Sequence, residues 1–403
     1  MIMTTVEEAE KLIQANAGNY GAEIILFENS SGRVLAETIK ADRDLPPFNR
    51  VSMDGIAISC EAIEQGFTKF RIKATQAAGD TPIEIESKDE CIEIMTGAAL
   101  PSSVDTIIRY EDVDIKDGYA KLTISSVQKN QNIHKQGADK KQGDIILTPG
   151  RLITPAVINS IASVGESELR VKRLPRVVII SSGDELVEVV AKPSPYQIRK
   201  SNSYTIQAVL NQHGITAGML HIPDDPEKTK QHIQQCLHNY DVILLSGGIS
   251  MGKFDYIPQA LDELQVTKVF HKVAQRPGKP FWFGKHDNGV VVFAFPGNPV
   301  ATFLGMQRYF IPWLQISLSQ LPKQPTYAVL NKDFAFKPPL QYFLQVKLNF
   351  SEQGQLLADP IEGNGSGDFA NLADTDAFME LPLEKNEFKK GEVYRIWPFN
   401  QLV

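Results

Sequence analysis

From residue 176 the chain reads RVVIISSGDEL, and from residue 241 it reads DVILLSGGISMG. Each is an apolar run rich in Val, Ile and Leu that stops at small and acidic residues, as a strand does where it turns towards a helix. Between and beyond them the texture alternates. Strand Val177 to Ser181 is followed by a helix from Tyr204 to His213 ending at Gly214, a strand from Ala217 to Ile222, a helix from Glu227 to His238 and a strand from Asp241 to Ser246. Alternation of this kind makes βαβ units on a parallel sheet. Strands at Val266 to His271, Phe281 to Gly284 and Val290 to Phe295 continue it, and an apolar helix from about Pro299 to Gln315 closes it.

Outward from this block the pattern changes on both sides. From Asp42 to about Gln142, short runs such as Lys69 to Ala74, Cys91 to Met95, Thr106 to Arg109 and Ala120 to Val127 are rich in Ile, Thr and Val and are punctuated by Gly, Pro and Asp, which reads as an inserted β domain. Before it, Val6, Ala9, Leu12 and Ile13 fall at helical spacing, and Ile24 to Thr38 reads as strands around Asn29-Ser30-Ser31-Gly32. After it, Pro155 opens a second helix expected to pack on the first, which makes the first domain discontinuous. Beyond the apolar helix, Asp333 to Phe336, Gln341 to Phe350 and Val393 to Pro398 return to strand texture. The fold class is α/β plus β and multidomain, with residues 1–41 and 143–172 as a discontinuous N-terminal domain, 42–142 as the inserted β domain, 173–318 as the α/β domain and 319–403 as a C-terminal β domain.

The size agrees, since 403 residues exceed one ordinary domain and suggest two to four. A net charge of −7 argues against nucleic acid or anionic lipid as the principal partner. Cys60, Cys91 and Cys236 are odd in number and scattered, with no CxxC pattern, which fits a reducing cytosol and gives neither a disulfide framework nor a zinc site. The N-terminus lacks a basic segment followed by an apolar one, and Pro296-Gly297-Asn298-Pro299 interrupts the most apolar stretch, so neither a secretory signal nor a membrane span is expected.

Ligands of open α/β sheets bind beyond the carboxyl ends of the strands. Here those ends carry Ser181-Ser182-Gly183-Asp184-Glu185, Asp224-Asp225 and Ser246-Gly247-Gly248-Ile249-Ser250-Met251-Gly252 leading to Asp255. The last of these offers small residues, backbone N–H groups and two hydroxyls to a phosphate, or is simply a tight connection; it fits neither Walker A nor GxGxxG. Glu185, Asp224 and Asp255 together suit a divalent cation, whereas each alone reads as a helix N-cap. Arg276-Pro277-Gly278-Lys279-Pro280 is either an anion cradle or a solvated loop. Pro296, Asn298 and Pro299 have a structural reading as a helix start and also point into the same crevice. Asp54 before Gly55 reads, by itself, as a turn. No HExxH and no GxSxG is present.

Taken in order, Leu45-Pro46-Pro47-Phe48 with Ser52-Met53-Asp54-Gly55, Ile94-Met95-Thr96-Gly97-Ala98, Ser182-Gly183-Asp184-Glu185-Leu186, Ser201-Asn202-Ser203, Asp224-Asp225-Pro226, the Ser246 to Gly252 loop with Asp255-Tyr256, Pro277-Gly278-Lys279-Pro280 and Pro296-Gly297-Asn298-Pro299 resemble the MoeA-type molybdopterin molybdenumtransferase family, whose eukaryotic relatives include the gephyrin E domain. The resemblance spans nearly the whole chain. It implies a three-layer α/β molybdopterin-binding domain of MogA-like type, an inserted β domain, a discontinuous N-terminal α/β linker domain and a C-terminal β-barrel domain. It further implies a cytoplasmic homodimer whose substrates are adenylylated molybdopterin and molybdate, with Mg²⁺ assisting, AMP leaving and molybdenum cofactor released. The molybdopterin adenylyltransferase and acceptor molybdoenzymes are the implied partners.

Carried over by residue, Glu185, Asp224 and Asp255 are the crevice carboxylates and metal ligands, the last two foremost. Asp54, Thr96 and Asp139 line the cleft from the β domain of the partner subunit. Ser246, Gly247, Gly248 and Ser250 form the phosphate cradle, Arg276 and Lys279 the anion site, with Pro296, Asn298 and Pro299 beside them. Three segments depart from the pattern. Arg276 stands where many relatives have Lys, Ile198-Arg199-Lys200 stands where relatives often have an acid or small polar residue, and Pro339 to Gln345 lacks arginines that many relatives carry. Two other functions compete with the transferase. One is the adenylyltransferase that prepares its substrate, which needs only the α/β domain; the other is a gephyrin-like scaffold without chemistry, which has no use for a cluster of unpaired carboxylates.

Overall fold

In the computed structural model, residues 3–249, 256–361 and 369–400 are described. They fall into two compact units, one of Met1–Ala36, Pro149–Thr154 and Glu168–Val403, the other of Glu37–Thr148 and Pro155–Ser167.

The first unit is built around a six-stranded sheet in the order Gly218–Ile222, Val177–Ser182, Val242–Ser246, Val291–Phe295, Trp282–Lys285, Thr267–His271. The first four strands are parallel, and Trp282–Lys285 runs against them, pairing antiparallel with both Val291–Phe295 and Thr267–His271. The antiparallel edge departs from a fully parallel βαβ array for a simple reason. Only residues 286–290 separate Trp282–Lys285 from Val291–Phe295, too few for a crossover, so the chain reverses as a hairpin.

Side chains along these strands alternate between two cores. Val177, Ile179, Leu244 and Phe293 pack with Ile206, Val209 and Leu210 of helix Asn202–Gln212. Val178, Ile180, Ile243, Leu245 and Val292 pack on the opposite face with Ile233, Cys236 and Leu237 of helix Pro226–Asn239. A sheet buried on both faces explains why its strands read as unbroken apolar runs.

The N-terminal helix Val6–Ala15 starts with a capping box, in which the Glu8 backbone N–H donates to Thr5 Oγ1 (3.1 Å) and the Thr5 N–H donates to Glu8 Oε2 (2.9 Å). The sequence expectation paired this helix with Pro155–Ser163. Its buried residues Val6, Ala9 and Ile13 instead enter the α/β core that holds Phe293 and Trp313. The Trp313 indole N–H donates to Asn16 O at 3.1 Å.

The long apolar helix forms as three abutting pieces, Pro299–Gly305, a π-helical turn Met306–Phe310, and Ile311–Ser317. Pro312 accounts for the widening: it has no N–H to give, and its ring crowds the carbonyl four residues back. One step before it, the Ile311 N–H donates to Met306 O, five residues back.

Beyond this helix, Gln341–Phe350, Leu356–Pro360, Thr326–Leu330, Val393–Pro398 and Ala377–Leu381 pair in that order, and the last pairs again with the first. The ring is a closed five-stranded barrel filled by Leu344, Val346, Met379 and Ile396. Strand Gln275–Arg276 adds to its outside, in parallel with Gln341 and Tyr342.

The second unit holds a six-stranded sheet in the order Thr106–Arg109, Gly55–Ile58, Glu90–Ile94, Lys69–Gln76, Tyr119–Leu122, Val113–Lys116. Gly55 opens a strand here. A Cβ at this position would fall 1.9 Å from Ile108 O on the neighbouring strand, so close backbone approach demands glycine. Cys60, Cys91 and Cys236 are free and buried. Among the described residues no helix is long and apolar enough to cross a membrane.

Candidate active site

Strand order reverses at Val177–Ser182: the next strand of this sheet along the chain, Gly218–Ile222, lies on one side of it and the following one, Val242–Ser246, on the other. Such a switch point opens a crevice beyond the strand ends. A cavity of about 100 Å³ lies there, lined by Ser181, Ser182, Glu185, Lys200, Asn202, Ser246, Gly247, Gly297 and Pro299, among others.

One amide organises its floor. Asn202, first residue of helix Asn202–Gln212, donates from Nδ2 to Ser246 Oγ (2.8 Å) and to Gly297 O (2.9 Å), tying together the loops that follow two adjacent strands. Thr302 Oγ1 donates to Pro296 O at 2.8 Å and lies 3.5 Å from Ser246 Oγ. Gly247 follows with φ +93, and a Cβ on it would sit 3.0 Å from Ser182 O. Only glycine takes this path comfortably; the Gly247 N–H donates to Phe295 O at 3.1 Å, and Gly248 packs against the Ile257 side chain.

The acids separate into a helix cap and carboxylates that cap nothing. Asp225 is the N-cap of Pro226–Asn239, accepting from the Lys228 N–H at 2.9 Å, so its neighbour Asp224 is not used for capping. Asp224 accepts from Ser182 Oγ (3.4 Å), and its own N–H donates to Asp184 Oδ1 (3.2 Å). Glu185 is exposed on the loop opposite. Hard carboxylate oxygens of this kind suit Mg²⁺, which commonly takes one or two protein carboxylates and completes its shell with water and phosphate. Among the described residues no group of three or more acids, histidines or cysteines converges as a metal cage. Ser250 and Asp255 lie outside the described residues.

The other sequence-derived positions divide clearly. Asn298 is the N-cap of Pro299–Gly305 (Ala301 N–H to Asn298 Oδ1, 3.4 Å), and Pro299 is its first residue, as the structural reading of that motif held. Arg276 and Lys279 are exposed on a turn held from inside by the buried Gln275, whose Nε2 donates to Pro277 O at 3.0 Å and whose Oε1 accepts from the Tyr309 hydroxyl. Arg276 also lies over the Phe336 ring, 5.9 Å from its centroid.

In the second unit, Asp54 and Thr96 are joined directly, the Thr96 N–H donating to Asp54 Oδ1 at 2.6 Å. That bond and one from the Thr96 side chain hold the Asp54 carboxyl below its ordinary range. Asp139 stands apart from this pair in its bonding, with His134 Nε2 at 3.0 Å and Arg50 beyond it, 3.2 Å from His134 Nδ1. Sequence reasoning gave no individual role to Asn202 or Thr302. Asn202 carried one signal, its place in Ser201-Asn202-Ser203 just before a helical period; Thr302 carried none, being one hydroxyl in an apolar helix.

Three family models match the chain in order: the MoeA N-terminal region (domain I and II) over residues 4–165, a probable molybdopterin binding domain over 178–316, and the MoeA C-terminal region (domain IV) over 327–399. The molybdopterin molybdenumtransferase of Synechocystis sp. is 40% identical over 396 residues, covering 97% of this chain and 99% of that protein. That of Staphylococcus epidermidis is 32% identical over 396 residues, covering 96% and 94%. A crystal structure of the molybdopterin biosynthesis MoeA protein from Pyrococcus horikoshii superposes with a TM-score of 0.81 at 28% identity, covering 99% of this chain and 100% of its own. With all three regions matched in sequence and fold, the chain belongs to the MoeA family of molybdopterin molybdenumtransferases.

Proposed function

We propose that this chain works in molybdenum cofactor biosynthesis as a molybdopterin molybdenumtransferase, inserting molybdate into adenylylated molybdopterin with release of AMP. The observation that carries this reading is the switch-point cleft, where Gly247 and the polar groups of Ser246 and Asn202 line one cavity with Glu185, while Asp224 is bonded to Ser182 of the same lining. Small residues at the strand ends let a pyrophosphate approach the backbone closely, as anion-binding loops in this position do. Asn202 and Thr302 hold the loop in shape before substrate arrives, so less order is lost on binding.

Glu185 and Asp224, with Asp255, are the residues that would hold Mg²⁺. When bound there, the ion neutralises pyrophosphate charge and polarises phosphorus. Asp224 is steadied by the Ser182 hydroxyl and the Asp184 N–H, which donate to its two carboxylate oxygens. Arg276 and Lys279 supply the cationic turn for the molybdate oxyanion. The same reading makes the molecule a cytoplasmic homodimer in which Asp54, Thr96 and Asp139 serve the cleft of a second copy. It also divides the chain at 41, 142, 172 and 318, and takes the molybdopterin adenylyltransferase and acceptor molybdoenzymes as partners.

The test is AMP release from adenylylated molybdopterin by the full chain, with molybdate and Mg²⁺, beside an Asp224→Ala, Asp255→Ala variant. Molybdate-dependent release that the variant loses supports the assignment. Substrate binding without release by the unaltered chain points to the scaffold reading.

A further inference from the structure

Lys200 lines the cleft, yet none of the roles above uses it. Its side chain is only 10% exposed, and its Nζ stops 2.5 Å from Oε1 of Glu188, whose own side chain is 58% exposed. The pairing has a backbone origin. Strands Leu186–Val187 and Ile198–Arg199 run parallel in register, so the residues one step beyond each, Glu188 and Lys200, emerge side by side. The Lys200 N–H donates to Val187 O at 2.9 Å and holds that register. Behind Lys200 lies His221, whose Nδ1 is 3.0 Å from Ser181 Oγ; burial and then the Lys200 charge hold its imidazole below its ordinary pKa.

The pair is therefore lopsided. The cation is enclosed by the cleft, where a desolvated ammonium needs an anion, whereas the anion stands at the rim and returns to water at little cost. An entering phosphate oxygen can satisfy the ammonium in a setting where charge-assisted bonds are strong. We propose that Lys200 is a phosphate-binding residue of this cleft, kept in place by Glu188 and handed to a phosphate oxygen of the adenylylated substrate on binding. This rests on reading the cleft as the substrate site, and it adds a cation separate from the Arg276 and Lys279 turn.

The experiment is calorimetric titration of the full chain with AMP and with inorganic pyrophosphate, using the unaltered protein, Lys200→Met, Lys200→Arg and Glu188→Gln. Thermal unfolding of each is recorded alongside. Both Lys200→Met and Glu188→Gln delete the same ion pair, so a merely structural bridge changes stability and affinity alike in the two. A phosphate-binding Lys200 separates them. Lys200→Met weakens binding about tenfold or more, the usual scale for a hydrogen bond to a charged group. Glu188→Gln removes a competitor and tightens binding, and Lys200→Arg keeps most of it. Equal responses of Lys200→Met and Glu188→Gln, or none, with the unaltered chain binding normally, overturn the assignment of Lys200 alone. Failure of the unaltered chain to bind either AMP or pyrophosphate overturns the substrate-site reading and this proposal with it.

Discussion

Replacing Asn202 by Ala removes two well-formed hydrogen bonds, to Ser246 Oγ at 2.8 Å and Gly297 O at 2.9 Å. A neutral bond of this type nets about 1 kcal/mol. Gly297 is exposed, so water takes over much of that bond, and Ala gains a few tenths as a better helix former than Asn. The expected loss of stability is about 1 kcal/mol. The effect on substrate should be larger, because the loops after Val242–Ser246 and Val291–Phe295 lose their tie and must be ordered by the ligand. Freeing one residue's backbone costs about 1–2 kcal/mol, equivalent to roughly a 5- to 30-fold rise in KM at unchanged kcat. Urea unfolding followed by tryptophan fluorescence measures the first quantity cleanly, since Trp282, Trp313 and Trp397 all belong to the first unit. Steady-state AMP release measures the second. Asn202→Asp sharpens the comparison by keeping the size and placing a negative charge against the phosphate, and its loss of affinity should exceed that of Asn202→Ala. If Asn202→Ala stays within twofold of the unaltered kcat/KM, the preorganisation argument is wrong.

Gly247→Ala puts a Cβ at φ +93 and 3.0 Å from Ser182 O, so a loss of about 1–3 kcal/mol in stability is expected, with AMP affinity falling as the cradle is displaced. Arg308 is 2% exposed, 2.8 Å from Glu10 Oε2, 3.6 Å from Glu380 Oε2 and stacked over Trp397; Arg308→Met alone should cost about 3 kcal/mol by urea unfolding, and adding Glu10→Gln and Glu380→Gln should recover much of it. His213, His221 and His271 are all held below the ordinary imidazole pKa, chiefly by burial. The unfolded chain therefore takes up more protons than the folded one as the pH falls below about 6.5, and melting temperature should be level above that value and decline below it. A His213→Gln variant should show a shallower decline, and an unchanged slope in it would remove His213 from the account.

The sheet was legible wherever a strand carried its own signal. Thr106–Arg109, Gln341–Phe350 and Val393–Pro398 are read to the residue, because β-branched and aromatic side chains fill them and turn residues bound them. Leu356–Pro360 and Val113–Lys116 escaped. The first holds Asp359 and Pro360 and the second alternates with Asp and Lys, and each becomes a strand only because a neighbour offers it a ladder. The closed barrel was implied by the family resemblance but not by the strands themselves, since closure depends on Ala377–Leu381 meeting two partners. Of the candidate site, Glu185, Asp224, Ser246 and Gly247 stand out in the sequence by their positions after apolar runs. Asn202 and Thr302 were assigned no role, because their partnership with Ser246 spans 44 and 56 residues of chain and leaves no local trace.

The N-terminal helix bears on how the molecule is made. Val6, Ala9 and Ile13 leave the ribosome well before the core they complete, which also needs Trp313 about 300 residues later, a delay of roughly 15–60 s at 5–20 residues per second. The Glu37–Thr148 segment emerges within that interval and can fold around its own sheet in the meantime. Helix Val6–Ala15 must wait meanwhile with an uncovered apolar stripe, a natural client for a chaperone. The same dependence sets a rule for dissection: an excised fragment starting near residue 173 would bare the surface that Val6, Ala9 and Ile13 cover, and should aggregate unless the helix is supplied with it.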